Sequence, residues 1–326
     1  MARPSSTSTA RPDRTAVPAA LERDTVPNTV PRSSPALLLA SLRPEQWTKN
    51  LFVFAGVLFG GRLTDVAAIG RASAAFGIFC ALSGVVYLLN DLVDREADQR
   101  HPLKRLRPIA SGRLSTRTAA TAAAAIGALA IAAAVVVSPA FASLAGAYLA
   151  LLVAYSFALK HLVIIDALTI AAGFVLRAAA GAVAVSVPIS QWLLVCTTLL
   201  ALFLVLSKRR HELTLLTDGA TTHRPILNEY SPHLLDQMIA VVTASTLVAY
   251  SVYATSVETA ERLHTTRLGV TIPFVLYGIF RYLYLVHQRR AGGSPADLLL
   301  TDRPLLACVG LWALAVALIL YSPLGR

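Results

Sequence analysis

Four oxygen-bearing side chains in the first third of the chain are spaced for chemistry. They lie in the run Y-L-L-N-D-L-V-D-R-E-A-D-Q-R-H-P-L-K-R-L-R-P-I-A-S-G-R, from Tyr87 to Arg113. Asn90, Asp94 and Asp98 fall at i, i+4 and i+8, with Asp91 one step around, so a helix sets their oxygens in one column. Stacked carboxylates repel each other. At this spacing, however, they suit a hard divalent cation, and Mg²⁺ is usually held by one or two carboxylates plus substrate phosphates. Asn90, Asp91, Asp94 and Asp98 are therefore the candidate metal ligands. Lys104, Arg105, Arg107 and Arg113 follow at once, and column and basic cluster together predict a site for metal plus polyanion. A solvated helix end whose charges only pair with one another is the plainer alternative. The column grows out of an apolar helix, where uncompensated charge is costly, and this favours the site.

The elements that must position these residues are membrane helices. Of 326 residues, 56% are hydrophobic and only 14% charged, where a soluble protein carries about 25%. Mean hydropathy is +0.62. The fold class expected is all-α, a polytopic membrane protein. The net charge of +11 does not point to nucleic acid, because Lys and Arg cluster in a few loops between apolar spans, where they act as topology signals and phosphate ligands. Apolar spans recur near 48–61, 68–90, 116–137, 140–158, 163–185, 189–207, 234–256, 268–287 and 304–322, long enough for about nine crossings, the first being short. Residues 1–34, rich in Ser, Thr, Pro and Arg, read as a disordered tail. Residues 35–326 form one membrane domain. The basic loops place the tail and residues 91–115 and 208–224 on the cytoplasmic side. Cys80, Cys196 and Cys308 sit far apart in apolar runs and read as buried thiols.

Three further groups carry polar chemistry. Tyr155, Lys160 and His161 end the fourth span, and Asp166 opens the fifth. Asp166, Ile170, Gly173 and Arg177 share one helical stripe. Arg177 lies about 16 Å deeper than Asp166 at 1.5 Å per residue, so it must face a polar cavity or a partner on a neighbouring helix. Lys208-Arg209-Arg210-His211-Glu212 closes the sixth span. A cytoplasmic stop signal accounts for the bases and a Lys208–Glu212 surface pair for the acid, with binding of a substrate as the alternative for at least one of them. Ser231 and Asp302, each near a proline, read as helix N-caps.

Several motifs in combination resemble the UbiA-type intramembrane prenyltransferase superfamily: R-P-x-x-W-x-K-N at Arg43 to Asn50, N-D-x-x-D-x-x-x-D at Asn90 to Asp98, and R-P-I-A-S-G at Arg107 to Gly112. The resemblance implies nine transmembrane helices around a central cavity, Mg²⁺ held by the aspartate motif, and transfer of a group away from diphosphate. Usual members carry a second motif, D-x-x-x-D, after the sixth helix. Here that loop has Lys208, Arg209 and Glu212 instead. With Y-S-x-x-L-K-H at Tyr155, G-F-V-L-R-A-x-A-G at Gly173 and G-S-P-A-D-L-L-L-T-D-R at Gly293, it looks like the decaprenyl-phosphate phosphoribosyltransferase branch. That branch implies a bacterial inner-membrane enzyme acting on phosphoribosyl diphosphate and a polyprenyl phosphate, with the possibility of a homo-oligomer. On this resemblance the catalytic candidates are Asp91, Asp94, Lys160 and Tyr155. The phosphate-site candidates are Lys49, Lys104, Arg107, Lys160, Arg177, Lys208 and Arg209, with Glu212 beside them. Two alternatives stay open: a conventional prenyltransferase with an aromatic acceptor, and a transporter or flippase for an anionic lipid.

Overall fold

The computed structural model describes residues 34–217, 225–288, 298 and 301–321. The expected disordered tail lies outside these residues, apart from its last position. Among the described residues the regular structure is helical throughout. In chain order come α1 (Ser34–Ser41), a 3₁₀ segment (Pro44–Phe54), α2 (Ala55–Phe59), α3 (Val66–Val93), α4 (Arg95–Arg100), a 3₁₀ turn (Lys104–Leu106) and α5 (Thr116–Val137). They are followed by α6 (Pro139–Phe157), a second 3₁₀ turn (Leu159–His161), α7 (Ile165–Ala184), α8 (Gln191–Thr217) and a 3₁₀ turn (Pro225–Glu229). The chain continues through α9 (Pro232–Thr255), α10 (Val257–Leu263), a 3₁₀ turn (Arg267–Thr271), α11 (Ile272–Gln288) and α12 (Arg303–Tyr321). Side-chain caps start the long helices: Asp65, Ser115, Ser138, Ser231 and Asp302 each accept a hydrogen bond from the backbone N–H three residues on. The caps expected at Ser231 and Asp302 are therefore present.

Eight helical stretches among the described residues are long and apolar enough to cross a bilayer. The first expected span, 48–61, is not one of them. It is split between the 3₁₀ segment and the five-residue α2. Those two pieces nevertheless run alongside α7: Asn50 meets Arg177, and Gly56 lies against Ala182. At rises of about 2.0 and 1.5 Å per residue they reach about 30 Å together, close to the thickness of a hydrocarbon core. Their contact with α7 is backbone to backbone, since a Cβ at Gly181 would come within 1.9 Å of the Val53 carbonyl oxygen. Small residues at such a crossing let two segments approach closely in lipid.

The centre of the bundle is α3 with α7, whose spans are 56% and 61% buried against 17–39% for the others. Phe79 and Leu82 of α3, Tyr148 of α6 and Ala180 of α7 share one packed core with Val53. Polar side chains brought to this centre are shielded from lipid, which is where the site forms. At the opposite end of the bundle, the Tyr321 hydroxyl accepts from the Leu63 N–H at 3.2 Å and lies 2.9 Å from the Leu58 carbonyl. The last helix is thereby joined to the loop that precedes α3.

Candidate active site

The acidic column is present with a break in it. Helix α3 ends at Val93, and Asp94 caps both α3 and α4 at φ −86°, ψ 6°. The i to i+4 backbone bonds continue across the break, from Asp94 N–H to Asn90 and from Asp98 N–H to Asp94. Each carboxylate meets a cation drawn from elsewhere. Asp91, 2% exposed, takes Arg43 Nη2 at 2.5 Å and Arg107 Nη1 at 3.1 Å, both on Oδ1. The same Arg107 nitrogen donates to Asp98 Oδ2 at 2.6 Å. Lys160 Nζ lies 2.6 Å from Asp94 Oδ1. Three separate segments thus converge on the column: the stretch before the 3₁₀ segment, the loop after α4, and the α6–α7 turn.

A second polar group lies deeper, on the same face of α3. Arg177, 6% exposed, donates from Nε to Asn50 Oδ1 at 2.7 Å, from Nη1 to the Gly173 carbonyl at 3.0 Å and from Nη2 to the Tyr148 hydroxyl at 2.6 Å. Its guanidinium also lies over the Tyr148 and Phe174 rings. Asn50 is in turn fixed by donating to Ser83 Oγ and Cys80 Sγ. Every one of these partners is neutral. Among the described residues no carboxylate pairs with Arg177; its partners on neighbouring segments are the neutral Asn50 and Tyr148.

Arg209 belongs to a third group, sealed from solvent at 2% exposure. Its Nε donates to Asp166 Oδ2 at 3.1 Å, Nη1 to Glu212 Oε2 at 2.9 Å, and Nη2 to the Tyr155 hydroxyl at 3.4 Å. Asp166 is fully buried and also accepts from the Tyr230 hydroxyl at 2.8 Å. Burial pushes the Tyr230 hydroxyl up to about 12, so it remains a proton donor to Asp166 throughout the neutral range. Asp166 shares a stripe with Arg177 in sequence, yet the fold pairs it with α8 instead. Lys208, one residue from Arg209, points outward with a side chain 44% exposed, 3.9 Å from Glu212. Lys49 and Lys104 are half-buried. Spacing alone gives no sign of Arg43, Asn50, Tyr148 and Tyr230. The first two lie inside the R-P-x-x-W-x-K-N motif, which was their only signal.

The profile of the UbiA prenyltransferase family matches residues 50–297. The chain belongs to this family. Like other UbiA prenyltransferase family members it is a transferase of the membrane, crossing it several times. It is 34% identical over 304 residues to the decaprenyl-phosphate phosphoribosyltransferase of Mycolicibacterium smegmatis, covering 89% of this chain and 94% of that one. The protein of the same name from Mycobacterium tuberculosis is 33% identical, over 88% and 95% of the two chains. A UbiA homolog from Archaeoglobus fulgidus, solved with GPP and Mg²⁺, superposes with a TM-score of 0.65 at 19% identity, covering 86% of this chain and 99% of that one. That likeness is one of fold.

The chemistry of the donor set decides how this UbiA-family site could take a divalent cation. Among the described residues no three His, Cys, Asp or Glu side chains converge as a ready-made cage. The donor set fits the other arrangement, in which a hard cation takes one or two carboxylates and completes its shell with substrate phosphate. Asp91 and Asp94 use Oδ1 in their ion pairs and Asp98 uses Oδ2. The cations that occupy them are Lys and Arg, which are themselves phosphate ligands.

Proposed function

We propose that this protein transfers 5-phosphoribose from phosphoribosyl diphosphate to a decaprenyl-like polyprenyl phosphate and releases diphosphate. The reading is carried by the 33–34% identity, along almost the whole chain, to two proteins named for that activity. The site is consistent with it. Three basic side chains, Arg43, Arg107 and Lys160, pair with the acidic column and Arg177 lies deeper beside it, and the two substrates together bring a diphosphate and two phosphate monoesters.

In this mechanism Asp91, Asp94 and Asp98, with Asn90, would hold Mg²⁺ together with oxygens of the donor diphosphate. When bound, the ion supplies positive charge to the departing group. Arg107 and Lys160 leave their carboxylates for diphosphate oxygens and stabilise the charge that develops as the C1–oxygen bond breaks. The electron pair of that bond leaves with diphosphate. Tyr155, already accepting from Arg209, keeps its hydroxyl proton to donate to the leaving group. The lipid phosphate has a second pKa of about 6 and is ionised at neutral pH. It attacks C1 from the opposite face without a catalytic base, inverting that centre as in other displacements at an anomeric carbon. Arg177 lies deep and has no acid among its described partners, so its charge is available to a substrate phosphate. Lys49, Lys104 and Lys208 serve the remaining phosphate oxygens. The site faces the cytoplasm of a bacterial inner membrane, where the soluble donor is present.

Purified protein incubated with labelled phosphoribosyl diphosphate, polyprenyl phosphate and Mg²⁺ should give labelled lipid and free diphosphate. A conventional prenyltransferase would ignore the ribose donor, and a transporter would leave the diphosphate bond intact. Sidedness is checked with Ser111→Cys, an exposed position in the loop after α4. Labelling by an impermeant thiol reagent in intact cells would contradict the cytoplasmic placement.

A further inference from the structure

Lys160 is delivered to Asp94 by a turn that is strained. Ile164, at the start of α7, has φ 68° and ψ −44°, and the Ile165 N–H donates to the Val163 carbonyl at 2.8 Å. This is a γ-turn of the rare, strained hand, and a β-branched residue with positive φ is a genuine outlier. An ordinary N-cap would start α7 without it. Such strain persists only where the surroundings over-determine it, and it clusters where function requires it.

The surroundings do so here. The Tyr230 hydroxyl accepts from the Ile164 N–H at 2.7 Å and donates to Asp166 Oδ1 at 2.8 Å. Asp166 Oδ2 is held by Arg209, and the same guanidinium reaches the Tyr155 hydroxyl. Tyr155 precedes Lys160 by five residues and Asp166 follows it by six. Both flanks of the lysine are therefore fastened to one buried arginine, and Tyr230 clamps the strained residue between them. Asp166, Arg209 and Tyr230 are each at most 3% exposed, so these atoms are closed to substrate.

We infer that Tyr230 and Asp166 are positioning residues, which hold the turn at Ile164 so that the short helix Leu159–His161 presents Lys160 to a substrate phosphate. The inference rests on the role proposed for Lys160 and assigns Arg209 to the support of that lysine rather than to a phosphate.

The experiment is a double-mutant cycle on the full chain, reading diphosphate release from phosphoribosyl diphosphate. Tyr230→Phe keeps the ring and removes the hydroxyl. It should lower kcat about ten-fold or more while leaving KM for both substrates within about three-fold, the pattern of a contact needed in the transition state. In a Lys160→Ala background the same change should cost less than about two-fold, because its effect runs through the lysine. Equal losses in both backgrounds would show a general structural role and overturn the inference. Ile164→Gly removes the Cβ that makes positive φ costly. Combined with Tyr230→Phe it should restore part of kcat, and it supplies the readout should Tyr230→Phe alone not fold. If no turnover is regained in the combined variant, positioning through this turn is refuted. A wild-type protein that leaves phosphoribosyl diphosphate untouched would instead overturn the functional reading, before any variant is made. The cycle would then be run with a prenyl diphosphate donor.

Discussion

Replacing Arg209 by alanine separates a buried organiser from a phosphate ligand. The substitution removes donors to Asp166, Glu212 and Tyr155, and it strands a carboxylate that is 0% exposed. Breaking a buried pair by removing one partner costs about 3–5 kcal/mol, mostly from the charge left behind. At about 2–4 °C per kcal/mol, the expected drop in thermal midpoint is on the order of 10 °C. Lys208→Ala is the internal control. Its side chain is 44% exposed and 3.9 Å from Glu212, and pairs of this kind contribute about 0–1 kcal/mol. The assay is the midpoint for loss of the monodisperse protein in detergent, followed over a temperature series for both variants. Removing both charges, as Asp166→Asn with Arg209→Gln, should recover much of the loss, since no lone ion remains buried. An Arg209→Ala protein with an unchanged midpoint and a raised KM for one substrate alone would refute the reasoning and make Arg209 a ligand.

Three further outcomes are expected. Asp94→Asn should lower turnover by orders of magnitude in a folded protein, and excess EDTA should abolish wild-type turnover; full activity with EDTA would remove the cation from the mechanism. Gly181→Ala should prevent accumulation of folded protein, because its Cβ would meet Val53 backbone atoms at 1.9–2.8 Å; Gly70→Ala, with nothing within 4 Å, should be neutral or slightly stabilising. The hydrogen bonds from Arg281 hold the Asp302 carboxyl below the usual carboxylate range. A lowered folded-state pKa means stabilisation that is present at neutral pH and lost as pH falls through that value. Asp302→Asn keeps the cap on Leu305, so its thermal midpoint should lie below wild type at pH 7 and approach it on acidification. A gap that does not depend on pH would exclude the charge as its cause.

The long spans were legible because apolar runs of bilayer length leave little choice of structure. Ser231 and Asp302 announced helix starts by chemistry that is local in sequence. The first span was not legible in the same way. Lys49 to Phe59 has the composition of a helix, but its 3₁₀ path is set by how close Gly181 lets it come to α7, a fact of the partner surface. In the site, the spacing of Asn90, Asp91, Asp94 and Asp98 pointed to the column, while the identity of their partners did not follow. Arg43, Arg107 and Lys160 reach the acids across 48, 9 and 66 residues of chain. The stripe of Asp166 and Arg177 leaves their partners open for a related reason. A shared face says that two side chains look the same way, whereas Asn50 and Tyr148 stand before one and Arg209 of α8 before the other.

Tyr321 gives the bundle a polarity that its helices alone do not. Its hydroxyl fastens α12 to the loop before α3 at the end remote from the acids. A carrier must expose its cargo to both sides in turn, and here that would require the Tyr321 fastening to come undone in every cycle. Cross-linking Tyr321→Cys to a cysteine at Leu58 would lock that end permanently. An enzyme should tolerate that lock and a flippase should stall.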